Sequence, residues 1–309
     1  MHRAIVTGGS GFIGRHLVRA LRRRGVDVYT IGRQLGLDGK HIVLGGDDWN
    51  ADALAGILRT VDPECIFHLA GTAVGPGEEL TRVNLGMTEA LLDALASVHL
   101  RPVLVIAGSA AEYGSAIRNG EPIEESTPCA PCSDYGMSKY AQTHAALRYA
   151  DKTGNPVLVA RIFNALGPDM PSHLAIGDFA KQLASMPRGG GTLKVGNLDV
   201  RRDMIDVEHV ATLLCRLADH PAARGIVNVC SGQAPILRAL VEMIMVNFGE
   251  PIWVELDSAR LREKELRTIV GSTKLLSDLG CAPPKTDFPA LMSRIAEAAR
   301  CQSRISHIR

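Results

Sequence analysis

The chain has 309 residues, of which 46% are hydrophobic and 22% are charged, and this composition is typical of globular proteins with a sizeable core. The formal net charge of +1 favours neither nucleic acid nor an anionic membrane surface as a partner. The apolar stretches are shorter than the roughly 18 residues of a membrane span. A strand-like segment begins near Met1. We therefore expect a cytoplasmic protein without a signal peptide.

Strands and helices alternate through the first half of the chain. Short apolar runs predict strands at Ala4–Thr7, Val28–Ile31, Ile42–Leu44, Cys65–Ala70, Val103–Ala107 and Val157–Arg161. Helical periodicity predicts helices at Phe12–Arg24, Asp52–Thr60, Glu79–Val98 and Met137–Asp151. This alternation predicts an α/β fold, namely a doubly wound parallel sheet of the Rossmann type.

The alternation ends after Arg161, where glycine and proline become frequent. Shorter helices are predicted at Ala175–Met186, Val207–Ala218, Ile236–Val246 and Phe288–Arg300. We expect a dinucleotide-binding domain over 1–165, with 206–230 returning to it, and a smaller mixed α/β substrate domain over 166–309. The tail Cys301–Arg309 has little apolar content, so we expect it to fray.

A glycine-rich segment directly follows the first strand and opens the first helix. Gly8 permits a tight turn, Gly11 lets the backbone approach a pyrophosphate, and Gly14 lets the helix pack against the strand. Phe12 and Ile13 lie in the first helical turn, where backbone amides favour phosphate. The segment predicts dinucleotide binding, although a purely structural turn is the alternative.

The end of the second predicted strand bears on the choice of cofactor. NAD sites usually place a carboxylate there, which would repel the 2′-phosphate of NADP. The strand instead ends Ile31-Gly32-Arg33, and an arginine can pair with that phosphate. NADP(H) is therefore favoured over NAD(H), and the alternative is that Arg33 is simply an exposed surface residue.

The catalytic candidates are Tyr135, Lys139 and Ser109. Tyr135 and Lys139 form a Y-x-x-x-K motif on one helical face, and we expect the lysine charge to lower the pKa of the phenol. Ser109 follows the fifth predicted strand, at the sheet edge where such folds bind ligands. Its hydroxyl would donate a hydrogen bond to a substrate carbonyl. A serine that caps a turn is the alternative.

A C-x-x-C motif stands at Cys129-Ala130-Pro131-Cys132. A zinc ribbon would require a second such pair, and a thioredoxin-like site would open a helix after a strand. Neither context is present in the sequence. We therefore predict no metal site, and the seven cysteines suit a reducing compartment.

Together these residues resemble the extended short-chain dehydrogenase/reductase family of nucleotide-sugar enzymes. The resemblance implies further cofactor contacts at Leu69, Ala70, Gly71 and Asn84, and an adenine-contacting acid at Asp47 or Asp48. It implies a diphosphate clamp formed by Asn164, Arg202 and Arg262. It also implies that the substrate lies against Ser109, Ala110 and Ala111 and that the enzyme is a homodimer, with Glu79–Val98 and Met137–Asp151 at the interface.

Within that family, the segments Val195–Asp203 and Val227–Gln233 are most similar to GDP-4-keto-6-deoxy-D-mannose reductases, which form GDP-D-rhamnose. Family 4,6-dehydratases carry an acid where this chain has Ala111. Glu112 stands one place later and would point to the opposite face of an extended segment. The chain therefore favours 4-keto reduction over elimination. An NAD-dependent NDP-hexose 4-epimerase is the first alternative, and a non-catalytic cofactor-sensing protein is the second.

Overall fold

The computed structural model describes residues 1–33, 40–261 and 265–306. Its strands in chain order are β1 (Arg3–Thr7), β2 (Asp27–Gly32), β3 (His41–Val43), β4 (Cys65–His68), β5 (Val103–Ser109), β6 (Pro122–Ile123), β7 (Val157–Ile162), β8 (Asn164–Leu166), β9 (Gly191–Val195), β10 (Arg201–Arg202), β11 (Met204–Asp206), β12 (Gly225–Val229), β13 (Ile252–Leu256) and β14 (Thr268–Gly271).

Its helices are α1 (Phe12–Arg23), α2 (Ala51–Val61), α3 (Gly77–Thr81), α4 (Met87–Val98), α5 (Asp134–Thr153), α6 (Ala175–Ala184), α7 (Val207–Asp219), α8 (Leu237–Val246), α9 (Lys274–Asp278) and α10 (Phe288–Ser306). A π-helical segment, Arg82–Gly86, joins α3 to α4. Short 3-10 turns cover Gly46–Asp48, Ala110–Glu112 and Ser258–Arg260. Among the helices of these ranges, none combines the length and hydropathy that a membrane crossing requires.

Seven strands form one parallel sheet in the order β12-β7-β5-β4-β1-β2-β3. Every residue of β4 is buried, as expected for a strand covered on both faces of its sheet. The strand order reverses between β1 and β4, and ligands of open α/β sheets bind in the crevice at such a reversal. The predicted doubly wound parallel α/β fold is confirmed.

Helices cover the two faces of this sheet with separate apolar cores. On one face α1 packs against α7, burying residues such as Leu17 and Leu214. On the other face α2, α4 and α5 pack together, burying residues such as Leu58 and Leu95. The glycine-rich turn and the start of α5 consequently both lie at the carboxyl edge of the sheet.

The rest of the chain builds a third core between α6, α8, α10 and β9. Small parallel pairings connect it to the large sheet: β11 pairs with β8, and β14 lies between β10 and β6. The segment Gly225–Val229 pairs with β7 in the large sheet. The division into domains 1–165 and 166–309 stays a prediction.

Most predicted element boundaries differ from the structure by a few residues, as at α5, at the helix before β5 and at the tail. Helix α5 begins at Asp134 rather than Met137, because the Ser133 side chain accepts a hydrogen bond from the Gly136 amide (3.1 Å). The predicted helix Glu79–Val98 begins at Gly77 and contains the π-helical segment. The tail is helical to Ser306 rather than frayed from Cys301, and the Gln302 amide donates to Asp169 (2.6 Å).

Candidate active site

The glycine-rich turn between β1 and α1 is packed so closely that side chains are excluded. A Cβ on Gly14 would lie 2.1 Å from the Gly8 carbonyl oxygen, and one on Gly8 would lie 2.8 Å from the Ala70 amide nitrogen. Gly8 also has a φ of +68°, which L side chains rarely adopt. Gly11 caps α1 without a side chain, so the first-turn amides and the helix dipole face the crevice. This cradle fits the pyrophosphate of a dinucleotide.

The predicted adenosine-side residues lie near the end of β2. Arg33 is exposed there, and its aliphatic stem packs on the backbone of Gly45, where a Cβ would lie 2.5 Å from the arginine Cγ. Asp47 and Asp48 are exposed in the 3-10 turn that follows. The sequence analysis missed Ser10, whose hydroxyl lies close to the backbone of Gly32, the residue before Arg33.

The loop after β4 is fixed from within the protein. The buried Asn84 side chain accepts a hydrogen bond from the Thr72 amide (2.9 Å) and donates to the Thr72 carbonyl (2.9 Å) and the Ser138 hydroxyl (2.9 Å). A Cβ on Gly71 would lie 2.7 Å from the Asn84 amide oxygen. Asn84 therefore holds the Leu69–Gly71 segment against α5, and its predicted contact with cofactor stays a prediction.

Ser109 and Tyr135 face one another at the carboxyl edge of the sheet. Ser109 ends β5, and its oxygen accepts a hydrogen bond from the Ala111 amide (3.2 Å). Tyr135 lies in the first turn of α5, with its phenol near enough to the Ser109 side chain for that hydroxyl to lower the phenol's pKa. Gly136 permits this approach, because a Cβ there would lie 2.7 Å from the Ala111 carbonyl oxygen. Ser109 therefore caps the turn, as the alternative predicted, and its catalytic role stays a prediction that this position allows.

The pKa of Tyr135 departs from the direction expected from the sequence. Burial raises it above its ordinary value, the hydrogen bond from Ser109 partly offsets this, and the Glu112 carboxylate raises it further. The expectation that Lys139 lowers the pKa of Tyr135 is therefore wrong for this structure. Tyr135 is therefore protonated at neutral pH, as a proton donor has to be.

Lys139 is buried one helical turn after Tyr135. Burial lowers the pKa of its ammonium to about 8, and the Glu112 carboxylate opposes that shift. The Nζ atom donates a hydrogen bond to the side-chain oxygen of Gln142. The lysine is consequently held by a neutral acceptor rather than by an ion pair.

Glu112 is a supporting residue that the sequence analysis assigned to the wrong conformation. The segment Ala110–Glu112 is a 3-10 turn rather than an extended strand, and its carboxylate is fully buried beneath Ser109. It accepts hydrogen bonds from the Ser109 amide (2.8 Å), the Thr143 hydroxyl (2.9 Å) and Arg161 Nε (2.9 Å). The S-x-x-E spacing of a capping box was the available signal.

The predicted substrate residues lie around β8 and β10. Asn164 is exposed and its amide donates to the Asp203 carbonyl (2.8 Å). Arg202 donates to the Glu265 carboxylate (2.9 Å) and to the Leu266 carbonyl (2.9 Å). Arg262 lies outside the described residues. A diphosphate clamp at these positions stays a prediction, and phosphate would compete there with Glu265 for Arg202.

Two remaining predicted substrate contacts, Ala110 and Ala111, are half-buried in the turn beside Ser109. Cys129 is half-buried and Cys132 is exposed, both as free thiols. In the part of the chain that the structure describes, His, Cys, Asp and Glu side chains form no group of three or more suited to a metal ion.

Comparisons with known proteins place this geometry in context. A model of the NAD dependent epimerase/dehydratase family matches residues 4–230. The chain is 32% identical over 283 residues to the GDP-6-deoxy-D-mannose reductase of Pseudomonas aeruginosa, and the alignment covers 89% of this chain and 90% of that protein.

Two solved structures extend the comparison. The structure of RMD from Pseudomonas aeruginosa complexed with NADPH is similar with a TM-score of 0.81 and 28% identity, covering 98% of this chain and 100% of that chain. The UDP-glucose 4-epimerase of Thermus thermophilus in complex with NAD gives a TM-score of 0.82 and 25% identity, covering 96% of this chain and 99% of that chain.

Proposed function

We propose that this chain, which belongs to the NAD dependent epimerase/dehydratase family, reduces the 4-keto group of a nucleotide-linked 4-keto-6-deoxy hexose. The chain is an NAD(P)-dependent nucleotide-sugar oxidoreductase, and the proposal concerns its substrate and direction. The preferred reaction converts GDP-4-keto-6-deoxy-D-mannose to GDP-D-rhamnose. The observation that carries it is the placement of the Tyr135 phenol beside the Ser109 side chain, where the first turn of α5 meets the carboxyl end of β5. The likeness to a GDP-6-deoxy-D-mannose reductase over most of both chains supports the sugar.

The side chains of this site supply the proton that the reduction needs. When bound, the reduced nicotinamide supplies a hydride. The Ser109 oxygen accepts from Ala111, so the single Ser109 proton can turn from Tyr135 to the keto oxygen at C4 when the sugar binds. Tyr135 transfers its phenolic proton to that oxygen, so the carbonyl becomes an alcohol and a phenolate remains. Water then reprotonates the phenolate, and the Lys139 ammonium holds the nicotinamide ribose.

We assign binding of the nucleotide to contacts with its diphosphate, at the end of the substrate away from the sugar. Asn164, Arg202 and Arg262 would bind the diphosphate, and that binding would hold the sugar against Ser109 and Tyr135. Arginine suits this role because its planar donors match phosphate oxygens. The ion pair between Arg202 and Glu265 would have to open or be shared when the substrate binds.

The proposed cofactor is NADPH in preference to NADH. The relatives support a nicotinamide dinucleotide as such, since one is complexed with NADPH and another with NAD. The preference is supported by Arg33, which is exposed at the end of β2, and by the Ser10 hydroxyl, which lies close to the backbone of the preceding residue, Gly32. Both groups can donate to a 2′-phosphate, whereas a carboxylate at the strand end would repel it.

The proposal is tested with a panel of nucleotide-linked 4-keto-6-deoxy sugars, each incubated with the enzyme and NADPH while NADPH absorbance is recorded. We expect the GDP-linked 4-keto-6-deoxy-D-mannose to be reduced with one NADPH consumed per product. Equal rates with unrelated bases would remove the assignment of GDP, and no NADPH oxidation with any member would overturn 4-keto reduction.

An NDP-hexose 4-epimerase is the second candidate, favoured by the likeness to a UDP-glucose 4-epimerase. An epimerase first oxidises the sugar, so Tyr135 would have to begin as a base. Its raised pKa opposes that start. Analysis of the purified protein distinguishes the two, because an epimerase retains tightly bound NAD and consumes no net NADPH.

The family resemblance also leads us to propose a homodimer formed through α4 and α5. Light scattering of the purified protein measures the assembly directly. A monomer at all concentrations would contradict the proposal.

A further inference from the structure

A buried polar chain runs from Lys139 to the strand that opens the glycine-rich turn. Lys139 donates to the Gln142 oxygen, and the Gln142 amide lies 2.7 Å from the Thr88 hydroxyl. His68 Nε2 lies 3.0 Å from that hydroxyl, and His68 Nδ1 lies 2.9 Å from the Thr7 hydroxyl. The side chains of Thr7, His68, Thr88 and Gln142 belong to residues that are 0% exposed. Four elements, β1, β4, α4 and α5, thus meet through side-chain hydrogen bonds.

The direction of every hydrogen bond in this chain follows from donor and acceptor chemistry. An ammonium only donates, so Gln142 presents its oxygen to Lys139 and its NH₂ group to Thr88. Thr88 gives its one proton to the Asn84 carbonyl (2.8 Å), so its oxygen accepts from both Gln142 and His68. His68 is therefore protonated on Nε2 and accepts on Nδ1 from Thr7.

The Thr7 hydroxyl completes the pattern, because it accepts a hydrogen bond from the Ala70 amide (3.1 Å). Ala70 is the residue against which Gly8 packs. The buried polar chain thus joins the catalytic lysine to the turn that would cradle the dinucleotide.

This chain of bonds orients groups and does not move a proton. The amide oxygen of Gln142 does not take up the Lys139 proton under ordinary conditions, and the Thr88 proton points away toward Asn84. His68 stays neutral as well, since burial and then the Lys139 charge lower its pKa to about 3. The groups fix one another in a single arrangement.

We propose that Gln142 is a positioning residue, held by Thr88 and His68, that fixes the Lys139 ammonium where the nicotinamide ribose binds. The inference rests on the proposed role of Lys139 toward the cofactor. A neutral acceptor anchors the ammonium without adding a second carboxylate near it. Among the described residues, two titratable groups on the packed elements interact electrostatically with Lys139. They are Glu112, in the turn after β5, and His68, at the end of β4. Tyr135 precedes Lys139 on α5 itself.

The proposal is tested by substituting the acceptor in two ways. Gln142→Met keeps the length but removes the oxygen, and we expect it to weaken NADPH binding, measured by fluorescence titration, by about tenfold. Gln142→Glu places a carboxylate on the ammonium. It should raise the pKa of Lys139, so that NADPH affinity and turnover persist to higher pH than in wild type.

A matched control and a second variant keep the test informative. Gln182 on α6 also makes side-chain hydrogen bonds, to Asp178 (2.7 Å) and to the backbone of Lys194 (3.1 Å), outside the site. Gln182→Met should leave NADPH affinity unchanged.

Should Gln142→Met fail to fold, Thr88→Val removes the acceptor that fixes Gln142 with little change in shape. It should weaken NADPH binding by less than the Gln142 variant.

The readouts separate this proposal from the proposed function. Cofactor titrations use NADPH and NADH without any sugar, so a wild-type preference for NADH would overturn the cofactor choice but leave the Gln142 comparison valid. Nitrogen NMR of labelled histidine should find His68 neutral and protonated on Nε2. Two results together would overturn the positioning role. Gln142→Met would bind NADPH as tightly as wild type, and Gln142→Glu would lose NADPH affinity and turnover at the same alkaline pH as wild type.

Discussion

The catalytic edge and the substrate edge of this crevice are built differently. Around Ser109, Tyr135 and Lys139 the supporting groups are buried and bonded to one another, with Glu112 below Ser109 and Gln142 below Lys139. Around Asn164 and Arg202 the side chains are partly exposed, and Arg202 is paired with an acid from a distant segment. The side chains of the proposed catalytic site are preorganised by the fold, whereas the proposed diphosphate clamp would require Arg202 to exchange its partner.

The largest effect is expected when the proton donor is removed from the preorganised side. Tyr135→Phe keeps the ring but loses the phenolic proton, so kcat should fall by about 10²–10⁴-fold. The affinity for NADPH should stay near the wild-type value, because the cradle is unchanged. Stopped-flow turnover and fluorescence titration measure the two quantities, and retained turnover would refute the role of Tyr135.

The next largest expected effect is a loss of unfolding free energy when the carboxylate buried below Ser109 is removed. Glu112→Ala leaves Arg161 buried without its carboxylate, and breaking such a pair costs about 3–5 kcal/mol in the free energy of unfolding. The exposed pair Arg238–Asp199 (2.8 Å) is the matched control, and Arg238→Ala should cost about 1 kcal/mol or less. Urea unfolding measures both. Equal losses would mean that the catalytic edge is no more tightly built than the surface.

The substrate edge should respond through KM rather than stability. Arg202→Ala should raise the KM for the nucleotide sugar by about 10–100-fold, because a hydrogen bond to a charged group is lost. Glu265→Gln weakens the resting ion pair and should lower KM if substrate has to displace the acid. Steady-state kinetics at saturating NADPH gives both values. A rise in KM in Glu265→Gln would instead indicate that the acid holds Arg202 in its binding position.

The smallest of these effects concerns the cofactor. Arg33→Ala removes one exposed charge and should weaken NADPH binding by about tenfold while leaving NADH nearly unaffected. Parallel titrations with the two cofactors provide the internal control. Equal losses for both would remove the basis for preferring NADPH.

Periodicity and glycine spacing were sufficient to predict the fold, since parallel strands and covering helices repeat locally along the chain. They could not reveal the support of the catalytic edge, because Thr7, His68, Thr88 and Gln142 are isolated polar residues on different elements. The start of α5 was misplaced because Ser133 and Asp134 carry no apolar periodicity. The pKa direction of Tyr135 depended on burial, which the spacing of Y-x-x-x-K does not report.

The pairing of Arg202 with Glu265 shows the same limit on the substrate side. The two residues lie far apart in the sequence and meet because β10 pairs with β14 next to Glu265. A motif identifies which residue types are present, but the partner that a charged group finds in the fold depends on tertiary packing.

The most direct measurement uses NADPH deuterated at the transferable position of the nicotinamide, with GDP-4-keto-6-deoxy-D-mannose as substrate. We predict one deuterium at C4 of the sugar for each NADPH oxidised, with the hydroxyl proton exchanging with water. Product formed without deuterium at C4, or without net loss of NADPH, would contradict reduction by this site.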